Sequence, residues 1–142
     1  MKNPVLFSVV SMFCLSSFAD VGGGQVSSKI QVVCSTPAGF AGKSVTIGSD
    51  QNGQASVINL SAAPNGASLA RGTLNITIFN GRTAKQSQVK VQGQYDDVGG
   101  TKYASLEALY EPSINLIYLN FSSKDLSYVE IGDSMVPMNC VQ

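Results

Sequence analysis

The chain has no histidine and no tryptophan, and only nine basic and nine acidic side chains among 142 residues. Each shortage excludes something. Without histidine there is no Ser-His-Asp or Cys-His device, no ordinary neutral-pH general base and no imidazole ligand for a transition metal. A formal charge of zero supplies no cationic surplus of the kind that holds nucleic acid. Neither Gly22-Gly23-Gly24 nor Gly99-Gly100 is followed by the GK[ST] ending of a phosphate loop. The longest apolar run falls well short of the roughly twenty residues that span a bilayer as a helix.

That run lies at the start of the chain and reads as an export signal. Lys2 supplies the positive charge, Val5 to Leu15 the apolar core, and Ser17 and Ala19 the small residues ahead of a cut. Cleavage is expected after Ala19, which places the mature protein in the periplasm or outside the cell. Cys14 sits inside the apolar run behind Phe13, where a lipoprotein signal wants a small residue, so no lipid anchor is expected there. The cut removes Cys14 and Lys2, which leaves eight basic against nine acidic residues, a charge of −1. Residues 20–28 read as a flexible leader containing Gly22-Gly23-Gly24, and 29–142 as a single β-domain.

In an oxidising compartment the two remaining cysteines, Cys34 and Cys140, have only one intramolecular pairing. Neither stands in a C-x-x-C, and no third cysteine or histidine is left to build a zinc site. A structural disulfide is the expectation.

The mature chain shows no sustained helical periodicity. Short segments rich in Val, Ile, Leu, Tyr and Thr alternate with Gly, Pro, Asn and Asp. Strands are predicted at 29–35, 43–49, 54–61, 72–79, 82–94, 102–110, 114–122, 125–131 and 134–141. The connections are too short for crossover helices, so neighbouring strands should run antiparallel. The expected fold is all-β, a small antiparallel up-and-down β-barrel of eight or nine short strands, with a β-sandwich as the alternative. In plan this is broadly similar to small secreted barrels such as lipocalin-like inhibitors. No motif anchors that comparison, and likeness of plan carries no function.

Two turns make specific predictions. Asn52-Gly53 as a type I′ turn pairs Gln51 with Gln54, which sets Ile47 opposite Ile58 and Val45 opposite Leu60 on one apolar face. Asn80-Gly81 as a second such turn pairs Phe79 with Arg82. Lys85 and Ser87 then lie opposite Ile76 and Leu74, either lining a polar cavity mouth or on a hairpin that projects beyond the body. Asp96 to Gly100, Pro64-Asn65-Gly66, Glu111-Pro112-Ser113 and Gly132-Asp133 read as further turns. The segment 114–122 is apolar on both faces, with Ile114, Leu116 and Tyr118 on one and Ile117, Leu119 and Phe121 on the other. Pro137 in the last strand calls for an edge or an outward-pointing backbone position, because proline has no N–H to donate.

Catalytic equipment is sparse. Glu107 and Glu111 are the nearest approach to a carboxylate pair, but Glu107 shares a strand face with Tyr103, Ser105 and Leu109, away from the apolar side. Ser122-Ser123-Lys124 reads as a turn rather than a Ser-Lys dyad. Asp50-Gln51-Asn52-Gly53 has the opening of a calcium loop without its distant ligands, and Asp96-Asp97, which could hold calcium together with loop carbonyls, reads as a polar turn. The sequons at Asn59, Asn75 and Asn120 all fall within predicted strands. No cofactor or metal is expected.

The tyrosines offer the best surface for recognition. Tyr95, Tyr103, Tyr110, Tyr118 and Tyr128 all lie in the C-terminal half, near one per strand, and exposed together they would form an aromatic platform for a protein or a glycan. The expected role is an exported, non-enzymatic β-domain of binding or inhibitor type. The alternatives are a structural subunit of a surface fibre or matrix, and an enzyme with an unrecognised site.

Overall fold

The computed structural model describes residues 26–37, 42–62, 68–123 and 126–141. The export signal at 1–19, the glycine leader, the turn at Pro64-Asn65-Gly66 and Lys124 lie outside the described residues.

The described chain is all β. In order the strands are β1 (Val26–Ser35), β2 (Lys43–Gly48), β3 (Ser56–Ala62), β4 (Ser68–Asn80), β5 (Thr83–Val98), β6 (Thr101–Leu109), β7 (Ile114–Asn120), β8 (Ser127–Ile131) and β9 (Ser134–Val141). β1 begins at Val26, three residues before the predicted strand at 29–35. All pairings are antiparallel, and the last strand returns to the first. Eight strands, β1 and β3 to β9, form a closed up-and-down barrel, with β2 as one extra strand. Adjoining ends distinguish a barrel from the sandwich alternative.

The extra strand corrects the first hairpin. β2 and β3 do not pair with each other. Both run antiparallel to β1 and to β4, so they lie in line and occupy one seat in the wall. Gly48 pairs with Asn75 and Val57 with Thr73, so residues 49–56 stand opposite Leu74 alone. The segment is an excursion in an otherwise continuous strand. Its turn is not type I′, since Gly53 has φ +80° while Asn52 keeps an ordinary negative φ. The Asp50 carboxylate accepts hydrogen bonds from the backbone N–H groups of Asn52 and Gln54 at 2.9 and 2.8 Å. At the neck of the excursion the Ser56 hydroxyl donates to the Gly48 carbonyl (2.6 Å) and accepts from the Asn75 N–H (2.8 Å). Buried Asn75 donates its amide to the Gln54 carbonyl at 2.9 Å. Val45, Ile47, Ile58 and Leu60 all face the core, as expected, but through other partners.

The second hairpin is displaced by two residues. Asn80 pairs with Thr83 and Ile78 with Lys85, around a Gly81-Arg82 turn with Gly81 at φ +62°. A shift of two preserves the strand face, so Ile76 and Ile78, not Leu74 and Ile76, stand opposite Ser87 and Lys85. The outer stretch of this hairpin, Phe79 to Gln86, is exposed. β6 pairs with β5 only from Lys90 onward, so the tip projects past its neighbour.

Inward positions alternate along each strand and meet in one aliphatic core. Val32, Ile47, Ile58, Leu74, Ile76, Leu106, Ile117, Leu119, Val129, Val136 and Met138 are almost completely buried. An eight-stranded barrel is just wide enough for side chains to fill it, and here they do. A bulge between Ile114 and Leu116 turns Ile114 into this core, which corrects its placement beside Leu116 and Tyr118. Tyr95 and Phe121 pack against the same core from inward positions, with ring centroids 6.3 Å apart.

Two glycines face inward at bends of the wall. A Cβ on Gly72 would lie 2.0 Å from the Val57 carbonyl oxygen, and one on Gly93 would lie 1.9 Å from that of Ser105. Only a residue without a side chain permits such approaches. The seam that closes the ring is short. β1 and β9 share three register pairs, Val33 with Val141, Cys34 with Cys140 and Ser35 with Asn139. The Cys34–Cys140 disulfide occupies the middle one and spans 106 residues of chain. Pro137 precedes the seam pairs on β9 and pairs with Tyr128 on the other side, which satisfies its need for an edge.

Two outcomes follow for stability. Gly93→Ala should cost about 3 kcal/mol by urea denaturation, at the upper end of overpacking costs, while Gly48→Ala, which meets open space, should stay within about 0.5 kcal/mol of the parent. Reducing the disulfide should remove up to about 4.7 kcal/mol in the chain-entropy limit, read as a lower denaturation midpoint in the presence of reductant.

Candidate binding surface

The inward side chains of the described strands form one buried core, and the grooves lie on the outer wall. Outward residues follow hydrogen-bonded rows that cross several strands. One row runs Ser61, Leu69, Gln94, Ser105, Tyr118, Tyr128, Pro137. Another runs Lys29, Asn59, Arg71, Gln92, Glu107.

Three of the five tyrosines come together at the first row: Tyr118 and Tyr128 stand in it, and Tyr103, in a neighbouring row, packs beside Tyr118. Tyr118 on β7 stacks on Tyr128 of β8 with centroids 5.2 Å apart and rings 21° from parallel. Tyr103 of β6 lies 5.9 Å from Tyr118 on its other side. All three are half-buried. This ladder packs its rings against one another, as aromatic pairs on neighbouring strands do. The other two tyrosines are elsewhere. Tyr95 packs inward with Phe121. Tyr110 is 93% exposed and holds a left-handed backbone, φ +64°, at the turn after β6. The five are therefore a ladder of three, a core residue and a lone turn residue.

Four shallow grooves lie on the outer wall, lined by residues from Lys29 of β1 to Leu116 of β7, and one of them reaches Ser105 beside the ladder. Gly93 lines one, and Gly72 lines two, so the grooves sit across the bends of the wall. Glu107 is exposed, on the outward face the sequence implied, and Ser105 beside it joins the grooves to the ladder.

The carboxylate pair does not form. Glu111 instead accepts a short hydrogen bond from the Ser113 hydroxyl and pairs with Lys85 at 3.5 Å. The Ser113 hydrogen bond is the main cause that lowers its pKa from the usual 4.5, with the nearby Lys85 charge assisting. Lys85 lies on the inward face at the barrel rim, 64% exposed, above a filled core rather than a cavity. This partner was invisible in sequence because it depends on the two-residue shift of the hairpin.

Asp96 and Asp97 are successive residues of β5, paired with Tyr103 and Lys102, and not a turn. Successive strand residues point to opposite faces, so their carboxylates cannot converge. The turn lies at Gly99 and Gly100, both at positive φ. Among the described residues no group of three or more Cys, Asp or Glu could hold a metal. Two of the sequon side chains have structural duties. Asn75 braces the excursion, and the Asn120 side chain accepts from the N–H groups of Ser122 and Ser123. Asn59 and Asn75 both line outer grooves.

Among the described residues no helix is long and apolar enough to cross a membrane. The wall has apolar residues inside and glutamine and lysine outside, the reverse of the polarity of a lipid-spanning barrel.

The Glu111 contacts carry a pH consequence. A depressed folded-state pKa contributes stability above the unfolded-state value, and that contribution is lost as pH falls through the folded-state value. In an NMR titration the Glu111 carboxyl should titrate below 4.5, and Ser113→Ala should raise its midpoint more than Lys85→Ala does. Comparison of the chain with protein-family models, curated proteins and solved structures found no match.

Proposed function

We propose that this chain is an exported, non-catalytic binding module that works through the outer wall of its barrel. The observation that carries the reading is the solid aliphatic interior beneath an outward face bearing the Tyr103-Tyr118-Tyr128 ladder. Among the described residues the inward side chains pack on one another and the grooves lie outside, which supports contact with a partner at the outer wall. Tyrosine suits that role, being rigid and amphipathic at low entropy cost.

Export is supported by the N-terminal signal pattern and is compatible with the Cys34–Cys140 disulfide, which persists in an oxidising compartment. The absence of histidine from the sequence and the separation of Glu107 from Glu111, which pairs with Lys85, support a non-enzymatic role.

One experiment addresses both parts. The full chain is expressed with a photo-crosslinking phenylalanine analogue at Tyr128, or at Gln31 as an exposed position on β1. The exported protein should have the mass of a chain beginning at Asp20. Adducts should form at 128 and not at 31. An uncleaved chain retained in the cytoplasm, or equal labelling at the two positions, would overturn the reading.

A further inference from the structure

We infer that the outer grooves form one continuous trough for an extended acidic polysaccharide. This rests on the reading that the barrel acts through its outer wall, and it names a ligand class for that wall.

Continuity comes from shared residues. The groove beside the 49–55 excursion, about 390 Å³, shares Asn75 and Gln88 with the next, of about 310 Å³. That one shares Asn59 and Thr73 with a third of about 480 Å³. The third shares Arg71 and Gln92 with the last, of about 490 Å³, which reaches Ser105 beside the tyrosine ladder. Along β5 the trough runs from Gln86 to Gln94, roughly 27 Å at the rise of a strand. Its shape is that of a surface for a chain, too open and too long for a small molecule.

The lining selects the chemistry. Five successive outward positions of β5 are Gln86, Gln88, Lys90, Gln92 and Gln94. An amide offers donors and an acceptor on one side chain, the complement of a hydroxyl that both donates and accepts. A ladder of amides at every second residue therefore suits a polyhydroxylated polymer. The two middle grooves add Lys29, Arg71 and Lys90 and carry no carboxylate. No described residue forms a salt bridge or a side-chain hydrogen bond with these three cations. Acidic groups stand only toward the two ends. Asp50 is turned to the backbone of its own excursion, and Glu107 lies by the ladder. Unpaired cations among amides complement a sugar chain that bears carboxylates, to which arginine can bind with two parallel hydrogen bonds.

The test uses the mature, oxidised protein and three fluorescent probes: alginate oligomers, dextran oligomers and polyglutamate. Alginate should bind, more tightly than dextran or polyglutamate, and more weakly as salt rises. Arg71→Gln with Lys90→Gln should weaken alginate binding about tenfold at an unchanged melting temperature. Gln88→Ala with Gln92→Ala should also weaken it while leaving the salt dependence in place. Arg82→Gln, on the projecting hairpin tip, should change nothing. Absence of alginate binding, full binding by either double variant, or equal binding of polyglutamate or dextran would each overturn the inference. Photo-crosslinking at Tyr128 is independent of these probes, so failure of the trough and failure of the outer-wall reading are distinguishable.

Discussion

The ring closes through three register pairs between β1 and β9, and the Cys34–Cys140 bond sits on the middle one. Every other neighbouring pair in the wall is joined by a nearby turn or a longer run of backbone pairing. This pair joins positions 106 residues apart in the chain, where closing the loop costs the most entropy. The bond holds the two ends of the meander together. Cys34 and Cys140 point inward and are themselves part of the core, so the staple and the packing reinforce each other at the same spot. The seam is thus compatible with an oxidising compartment, where such a bond persists.

From closure follows the interior. Alternate residues of eight strands converge on one buried core built mainly of Val, Ile, Leu and Met. Where the wall must bend, side chains are omitted altogether, at Gly72 and Gly93. Those omissions reappear on the outside, since the grooves lie across the bends. Core packing and outer shape are therefore two faces of one geometric requirement. The outward row that leads through Ser105 to Tyr118 and Tyr128 extends the same wall from amides to aromatics.

How much of this was legible in sequence differs by residue. Alternation placed Val45, Ile47, Ile58 and Leu60 on the buried face correctly, yet their pairing was read wrongly. A hairpin at Asn52-Gly53 and an in-line excursion place the same residues inward, so the pattern could not separate them. The deciding contacts are the local Asp50 carboxylate bonds, the Ser56 bond to Gly48 and the bond between Ser56 and Asn75, which joins positions well separated in the chain. The Asn80-Gly81 turn failed more gently, by a slip of two that moved Lys85 along its own face and toward Glu111. Ile114 was misassigned because one bulge reverses a strand's alternation without a sequence mark. Among the tyrosines, number and spacing said nothing of direction. Tyr95 occupies an inward position of β5, whereas Tyr103, Tyr118 and Tyr128 occupy outward ones.

Sequence alone determined the class of fold, the strand count and the identity of the disulfide, because each rests on local or exclusive chemistry: period-two alternation, turn residues, and two cysteines left with a single partner. It also determined the poverty of catalytic groups, since a missing residue type is missing in any fold. The tertiary structure decided which strands share a seat, which tyrosines meet and where the grooves run. Those are matters of register across the wall, and register is set by contacts between residues that lie far apart in the chain.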